Sequence, residues 1–254
     1  MLKKTVPIAR TSLTKEEINS VIDPLESGWI VQGPKVNEFQ EKWSNFTGAK
    51  HSIAVTSCTS AMHISLAAAG FKSGDEAIVP AFTWISTANV VEHLGGKAVF
   101  CDIDLDTFNI NIDQIESKIT KKTRAILPVH LFGLSADMEP ILELAQKYNL
   151  IVIEDAACGF GSYYKGIHVG NFGDIGTFSF YPTKNLGAFG DSGAIVTNKK
   201  SLYEKAQKIA NHGRVASYDH VLAGRNSRLD SIQASVLNFK IENLEKHNEL
   251  RIKQ

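Results

Sequence analysis

The sequence predicts an α/β fold, a mostly parallel sheet with helices on both faces, and three observations predict it. From residue 51 onward, short strand-like and helix-like segments alternate. Most strand-like runs, such as Ile151-Val152-Ile153, are apolar throughout, as a sheet covered on both faces requires. The chain has 254 residues, 43% hydrophobic and 21% charged, which is ordinary for a globular protein and ample for a core.

Thr14-Lys15-Glu16-Glu17 has capping-box spacing and starts a first helix, which Pro24 and Gly28 disturb and end. Pro34 suits the first turn of a second helix with Val36, Phe39, Trp43 and Phe46 on its apolar face and Gly48 closing it. The alternation follows. Residues 51–56 form a strand and 60–69 a helix; 76–79 form a strand and 83–94 a helix. Strands at 97–101 and 125–129 flank a helix near 113–119, and a helix at 138–148 feeds the strand 151–154. Two further strands, 176–180 and 193–197, bracket a glycine-rich turn. Beyond them, 199–212 is helical, 213–224 is a loop, and 230–254 is one long amphipathic helix with Ile232, Val236, Phe239 and Leu244 on its apolar side. The reading is one compact domain over 1–254.

Lys plus Arg and Asp plus Glu both number 27, so charge gives no reason to expect nucleic acid or an acidic membrane surface as a partner. Met1-Leu2-Lys3-Lys4 is basic, but no apolar run follows to make a signal peptide, and the longest apolar stretches are too short to span a bilayer. Cys58, Cys101 and Cys158 are odd in number and lack metal-ligand spacing, which points to the reducing cytoplasm. Asn45-Phe46-Thr47 fits a glycosylation sequon and, without a secretion signal, is taken as chance.

Ligands of open α/β sheets bind beyond the carboxyl ends of the strands, and several chemically useful residues fall there. Lys184 sits in the glycine-rich turn Tyr181-Pro182-Thr183-Lys184-Asn185-Leu186-Gly187, where its amine could form a Schiff base with an aldehyde cofactor. Asp155 ends an apolar strand, where it could bond a pyridine nitrogen and keep it protonated; Glu154 beside it blurs the choice. A lysine facing an aldehyde and a carboxylate facing a pyridinium are what pyridoxal phosphate requires of a protein. Thr59 and Ser60 open a helix after a small polar turn, which suits a phosphate or serves as a cap alone. Trp84 either covers a flat ring or belongs to the core. His130 could line the same pocket, but a lone histidine there reads as structural. A dinucleotide fingerprint, a GxxxxGK[ST] phosphate loop and an HExxH pair are all missing. Each signal has a bland reading by itself; their order on consecutive strand ends does not.

These residues, together with 27–34 (SGWIVQGP), 80–84 (PAFTW), 129–133 (VHLFG), 154–157 (EDAA) and 224–230 (GRNSRLD), resemble the DegT/StrS-type sugar-nucleotide aminotransferases, which are pyridoxal-phosphate enzymes of fold type I. The resemblance runs from about Ile8 to the end of the chain. It implies the large domain of a fold type I transferase. It implies that Lys184 carries the cofactor and moves protons, Asp155 pairs with the pyridine nitrogen, and Trp84 stacks on the ring. Thr59, Ser60 and Ser179 then hold the phosphate. Asn226 reaches the phosphate of a neighbouring subunit, so the implied working unit is a homodimer with shared sites. Cys158 stands where many members carry a glutamine against the ring hydroxyl, and is read as a subgroup mark; Cys58 replaces a common glycine.

The resemblance further implies transfer of an amino group from glutamate to a keto group of a nucleotide-linked sugar. Lys184 argues against the dehydratase branch, which carries histidine there. The run after the lysine is similar to that of enzymes acting on 3-keto sugars on dTDP or UDP carriers, with 4-keto sugars the alternative. Members of the family continue past the long helix into a smaller C-terminal domain that helps cover the substrate. Its absence here implies a fragment, or a cofactor-binding or regulatory protein without turnover.

Overall fold

The computed structural model describes residues 11 and 13–253; the basic start Met1–Lys4 lies outside them. Two short helices, α1 (Lys15–Asn19) and α2 (Ile22–Ser27), lead into α3 (Pro34–Thr47). Thr14 caps α1 with the reciprocal Glu17 bonds of a capping box. Gly28 and Gly48 end α2 and α3 in the left-handed region, as their positions in the sequence suggest.

The alternating part follows as β1 (His51–Val55), α4 (Cys58–Ala68), β2 (Glu76–Pro80), α5 (Ser86–Glu92), β3 (Lys97–Cys101), α6 (Ile112–Lys118), β4 (Thr123–Ile126), α7 (Met138–Tyr148) and β5 (Ile151–Asp155). A small hairpin, β6 (Tyr163–Tyr164) and β7 (Ile167–His168), precedes β8 (Ile175–Ser179) and β9 (Gly193–Thr197). The chain then forms α8 (Lys200–Ala210), α9 (Ser231–Ile241) and α10 (Leu244–Ile252).

Seven strands form one sheet in the order β1-β9-β8-β5-β4-β2-β3. The pairings from β8 through to β3 are parallel, while β9 runs antiparallel to both β1 and β8. One reversed strand in an otherwise parallel sheet is the expected mostly parallel α/β class. Alternation along the strands divides the core. Ile153 and Ile175 pack on the face covered by α4 and α5, with Ile64, Leu66 and Val90. Phe178, on the opposite face, meets Phe39 and Trp43 of α3 and Leu237 of α9.

Three expectations need correction. The helix expected over 230–254 breaks at Glu242–Asn243, where Asn243 leaves helical geometry (φ −110, ψ 7) and α10 restarts behind it. An asparagine competes for backbone hydrogen bonds and favours such a break. The buried positions of α9 include Ala234, Val236, Leu237 and Ile241, while Phe239 is exposed. The helix expected over 83–94 is only Ser86–Glu92, because Phe82, Thr83 and Trp84 form the loop that leaves β2. Finally, β4 lies two residues earlier than expected at its start and ends before Pro128, which has no N–H to give a ladder.

Candidate active site

β1, β2, β5 and β8 send their carboxyl ends toward one open cavity of about 710 Å³. Its lining includes Thr59, Trp84, Asp155, Cys158, Ser179 and Lys184, so the fold brings together six of the residues singled out from the sequence.

Asp155 forms its floor. It is buried, with Oδ2 accepting the Thr87 hydroxyl at 2.8 Å and Oδ1 accepting the Ala157 N–H at 3.1 Å. The Cys58 thiol lies 3.8 Å from the same Oδ1 and 3.6 Å from the Thr177 hydroxyl. Burial first, and the Asp155 charge second, push the Cys58 thiol well above the usual thiol range, so it stays protonated. Glu154 resolves differently. The β5 pleat turns it to the other face, where it accepts the Gly170, Phe172 and Gly173 N–H groups at 2.7–2.8 Å and meets His130 Nε2 at 2.9 Å. Glu154 and His130 are therefore a buried structural pair, and Asp155 is the carboxylate of the cavity.

At one end of the cavity stands the N-terminus of α4. The helix begins at Cys58, capped by Ser57, whose hydroxyl accepts the Ser60 N–H at 3.0 Å. The amides of Cys58 and Thr59 belong to the first turn, where helix geometry supplies no partner. Ser57, Thr59 and Ser179 line the cavity beside them; the Thr59 hydroxyl reaches Ser86 at 3.0 Å. Ser60 does not line it. Its hydroxyl is taken by Thr56 at 2.9 Å and Ser57 at 3.2 Å, because the helix starts two residues earlier than the sequence suggests. Gly193 of β9 lies directly underneath: a Cβ there would be 2.3 Å from the Ser57 carbonyl carbon.

Lys184 approaches from the turn between β8 and β9. The turn is tight; a Cβ on Gly187 would be 2.4 Å from the Pro182 carbonyl oxygen. Helix α9 ties it down, with Gln233 accepting the Phe189 N–H and Lys240 donating to the Gly187 carbonyl, both at 2.8 Å. Burial lowers the pKa of Lys240, with Glu17 opposing. The Lys184 amine lies 2.9 Å from the Cys158 sulfur, inside the cavity. Trp84 is 78% exposed at the mouth, which excludes the core role, and Phe82, Phe132 and Tyr181 are exposed beside it. Phe132 has φ 56, a left-handed backbone uncommon for a bulky residue.

Asn226 lies outside the cavity. It is exposed, pairs by backbone with Asn211, and accepts from Arg228 Nε at 3.2 Å. Sequence reasoning missed Thr87, Ser57 and Ser192, which respectively support or line the site. Ser57 had a usable signal, as the N-cap type next to a helical run; Thr87 had none. A smaller cavity of about 480 Å³ near Arg214 and Arg228 contains none of the predicted residues. Among the described residues, no cluster of three His, Cys, Asp or Glu could hold a metal, and no helix is long and apolar enough to cross a membrane.

The DegT/DnrJ/EryC1/StrS aminotransferase family model matches residues 11–254. A pleiotropic regulatory protein of Geobacillus stearothermophilus is 45% identical over 240 residues, covering 94% of this chain and 64% of that protein. The UDP-2-acetamido-2-deoxy-3-oxo-D-glucuronate aminotransferase of Pseudomonas aeruginosa is 42% identical over 240 residues, covering 94% and 67%. The chain thus spans about two thirds of the length of these relatives. The crystal structure of NtdA from Bacillus subtilis with bound cofactor PMP superimposes with a TM-score of 0.86 at 34% identity, covering 96% of this chain and 58% of NtdA.

Proposed function

The chain belongs to the DegT/DnrJ/EryC1/StrS aminotransferase family, and from that premise we propose that it is the cofactor-binding domain of a pyridoxal-phosphate-dependent sugar-nucleotide aminotransferase. One observation carries the reading: a buried carboxylate, a lysine amine and a helix N-terminus converge on one cavity.

The residues fit pyridoxal phosphate. The α4 amides with Thr59 and Ser179 suit its phosphate, and the missing Cβ of Gly193 lets the α4 turn lie close to the sheet. Asp155 suits its pyridine nitrogen, held ready by Thr87 and Ala157. Trp84 suits one face of its ring, and Cys158 its ring hydroxyl. Ser60 contributes through its place in the capping turn and not by reaching into the cavity.

When bound, this cofactor supplies an aldehyde that exchanges amines and a pyridinium ring that holds an electron pair. The chain's own residues do the rest. The Asp155 carboxylate would hold the pyridine nitrogen in its protonated form. Lys184 Nζ, placed inside the cavity, would take the proton from the α-carbon of the amino donor and hold it for return, which is general acid–base work at a single atom. In the second stage Lys184 Nζ would give a proton to the sugar carbon that began as a ketone. The balance is glutamate plus keto sugar nucleotide giving 2-oxoglutarate plus amino sugar nucleotide.

A 3-keto sugar on a UDP or dTDP carrier is favoured by the run following Lys184 and by the name of the Pseudomonas relative, a UDP-linked 3-oxo sugar aminotransferase. Asn226, exposed outside its own cavity, suits a homodimer in which it reaches the partner's phosphate. Three cysteines without a disulfide suit the cytoplasm. A second reading, a regulator that binds the cofactor without turnover, is favoured by the name of the Geobacillus relative.

The test is spectroscopic. Protein mixed with pyridoxal phosphate should turn yellow, and borohydride should fix the cofactor to Lys184, as mapped by peptide mass. Glutamate should bleach the band, and a UDP-linked 3-keto sugar should restore it. A colourless mixture, or the adduct surviving in Lys184→Ala, would sink the reading. Bleaching by glutamate with no amino sugar from any keto sugar nucleotide would favour the regulator.

A further inference from the structure

The residues of helix α10 are mostly exposed, and Leu244 is its buried anchor. Asn248 is the exception in chemistry. Its Oδ1 accepts from Asn185 Nδ2 at 2.8 Å, and its Nδ2 donates to the Phe160 carbonyl at 2.8 Å. Asn185 follows Lys184 in the chain, and Phe160 lies two residues beyond Cys158. One amide thus bridges the two turns whose side chains meet at 2.9 Å in the cavity.

We propose that Asn248 is a positioning residue that sets the Lys184 amine against Cys158 by locking their two turns together. This rests on the reading of Lys184 as the cofactor lysine. The asparagine amide carries its acceptor and its donors on separate atoms, so it can bond two different turns at once, and both ends are used here. The fit is close: a Cβ on Gly161 would be 2.9 Å from Asn248 Nδ2, so the amide lies directly over a left-handed glycine (φ +79). Gln233 and Lys240 of α9 already hold the later part of the lysine turn at Phe189 and Gly187. Asn248 fixes the remaining end, nearest the amine, and is the contact that also reaches the opposing turn. Aspartate at this position keeps the acceptor for Asn185 and sets a carboxylate against the Phe160 carbonyl. Leucine removes both bonds at similar volume.

Two measurements test the assignment. In cofactor-free full chain, the rate at which acetic anhydride acylates Lys184, followed by peptide mass with the other lysines as internal standards, should rise about tenfold in Asn248→Asp and Asn248→Leu. That is the scale of one or two lost hydrogen bonds. Glu245→Ala, at an exposed position of the same helix, should leave it unchanged. With pyridoxal phosphate, the same variants should bind about tenfold more weakly and shift the pH midpoint of the visible band. Wild-type acylation rates in both Asn248 variants overturn the proposal, as does a rise shared equally by all lysines, which would mean general loosening. If the wild-type protein forms no adduct at Lys184, the aminotransferase reading fails, while the acylation result still decides whether Asn248 positions the amine.

Discussion

Glu154 and Asp155 are adjacent on one strand, yet their carboxylates serve opposite faces of the sheet and different purposes. Asp155 faces the cavity beside Cys58 and Thr87, while Glu154 gathers three backbone N–H groups and His130. Glu154→Gln puts an NH₂ where one of these donors needs an acceptor, leaving a buried group unpaired. It should cost about 2–3 kcal/mol in urea unfolding, with residual cofactor binding in the folded fraction. Asp155→Asn should have the reverse profile: near-normal unfolding, and loss of the glutamate-driven bleaching by a factor of 100 or more, roughly, since a neutral amide cannot hold a pyridinium.

Thr87 is the first support of that aspartate. Thr87→Val keeps the volume but leaves Asp155 Oδ2 without its 2.8 Å donor, at a cost of about 1–2 kcal/mol. Thr87→Ser retains the hydroxyl and should recover most of the loss. Equal behaviour of the two variants, in urea unfolding and in cofactor titration, would show that the hydroxyl is not what matters.

These two residues show how far the sequence could be read. Asp155 was legible because an apolar run ending in a carboxylate marks a strand end, and strand ends are where such sheets bind ligands. Which of Glu154 and Asp155 faces the cavity depends on the pleat, and the run of Ile151, Val152 and Ile153 is apolar on both faces, so periodicity could not decide it. Lys184 was legible from its turn. Thr87 was not, because it lies 68 residues from Asp155 and only the packing of α5 against the sheet brings them together. The break at Asn243 was hidden for a similar reason: Leu244 continues the helical pattern, so the apolar spacing reads through it.

Gly193 links the sheet to the anion end of the cavity. A Cβ there would lie 2.3 Å from Ser57 C and 2.6 Å from Cys58 N, both backbone atoms that cannot swing aside. Gly193→Ala should push the start of α4 outward and cost about 1–3 kcal/mol. Its specific signature is at the phosphate. Affinity for pyridoxal phosphate should fall more than affinity for pyridoxal, measured by the visible band, because the displaced amides face the phosphate alone. An equal fall for both would separate Gly193 from the anion site.

His63 makes stability depend on pH. It is 4% exposed within α4, and neither ring nitrogen has a partner among the described residues. Burial first, then the charges of Arg225 and His93, lower its pKa from 6.5 to about 4. Above about pH 6.5 the ring is neutral in both folded and unfolded chains, and its contribution to stability is fully present. Between about 6.5 and 4 the unfolded chain binds a proton that the folded chain refuses, so stability falls as pH falls. Buried His168, also lowered chiefly by burial, acts in the same direction. From pH 7.5 to pH 5, His63 alone should remove about 2 kcal/mol from the unfolding free energy. His63→Leu, which suits a buried helical position, should flatten that part of the dependence and leave the share of His168. An unchanged slope in the variant would mean that the folded chain accommodates the proton on His63 after all.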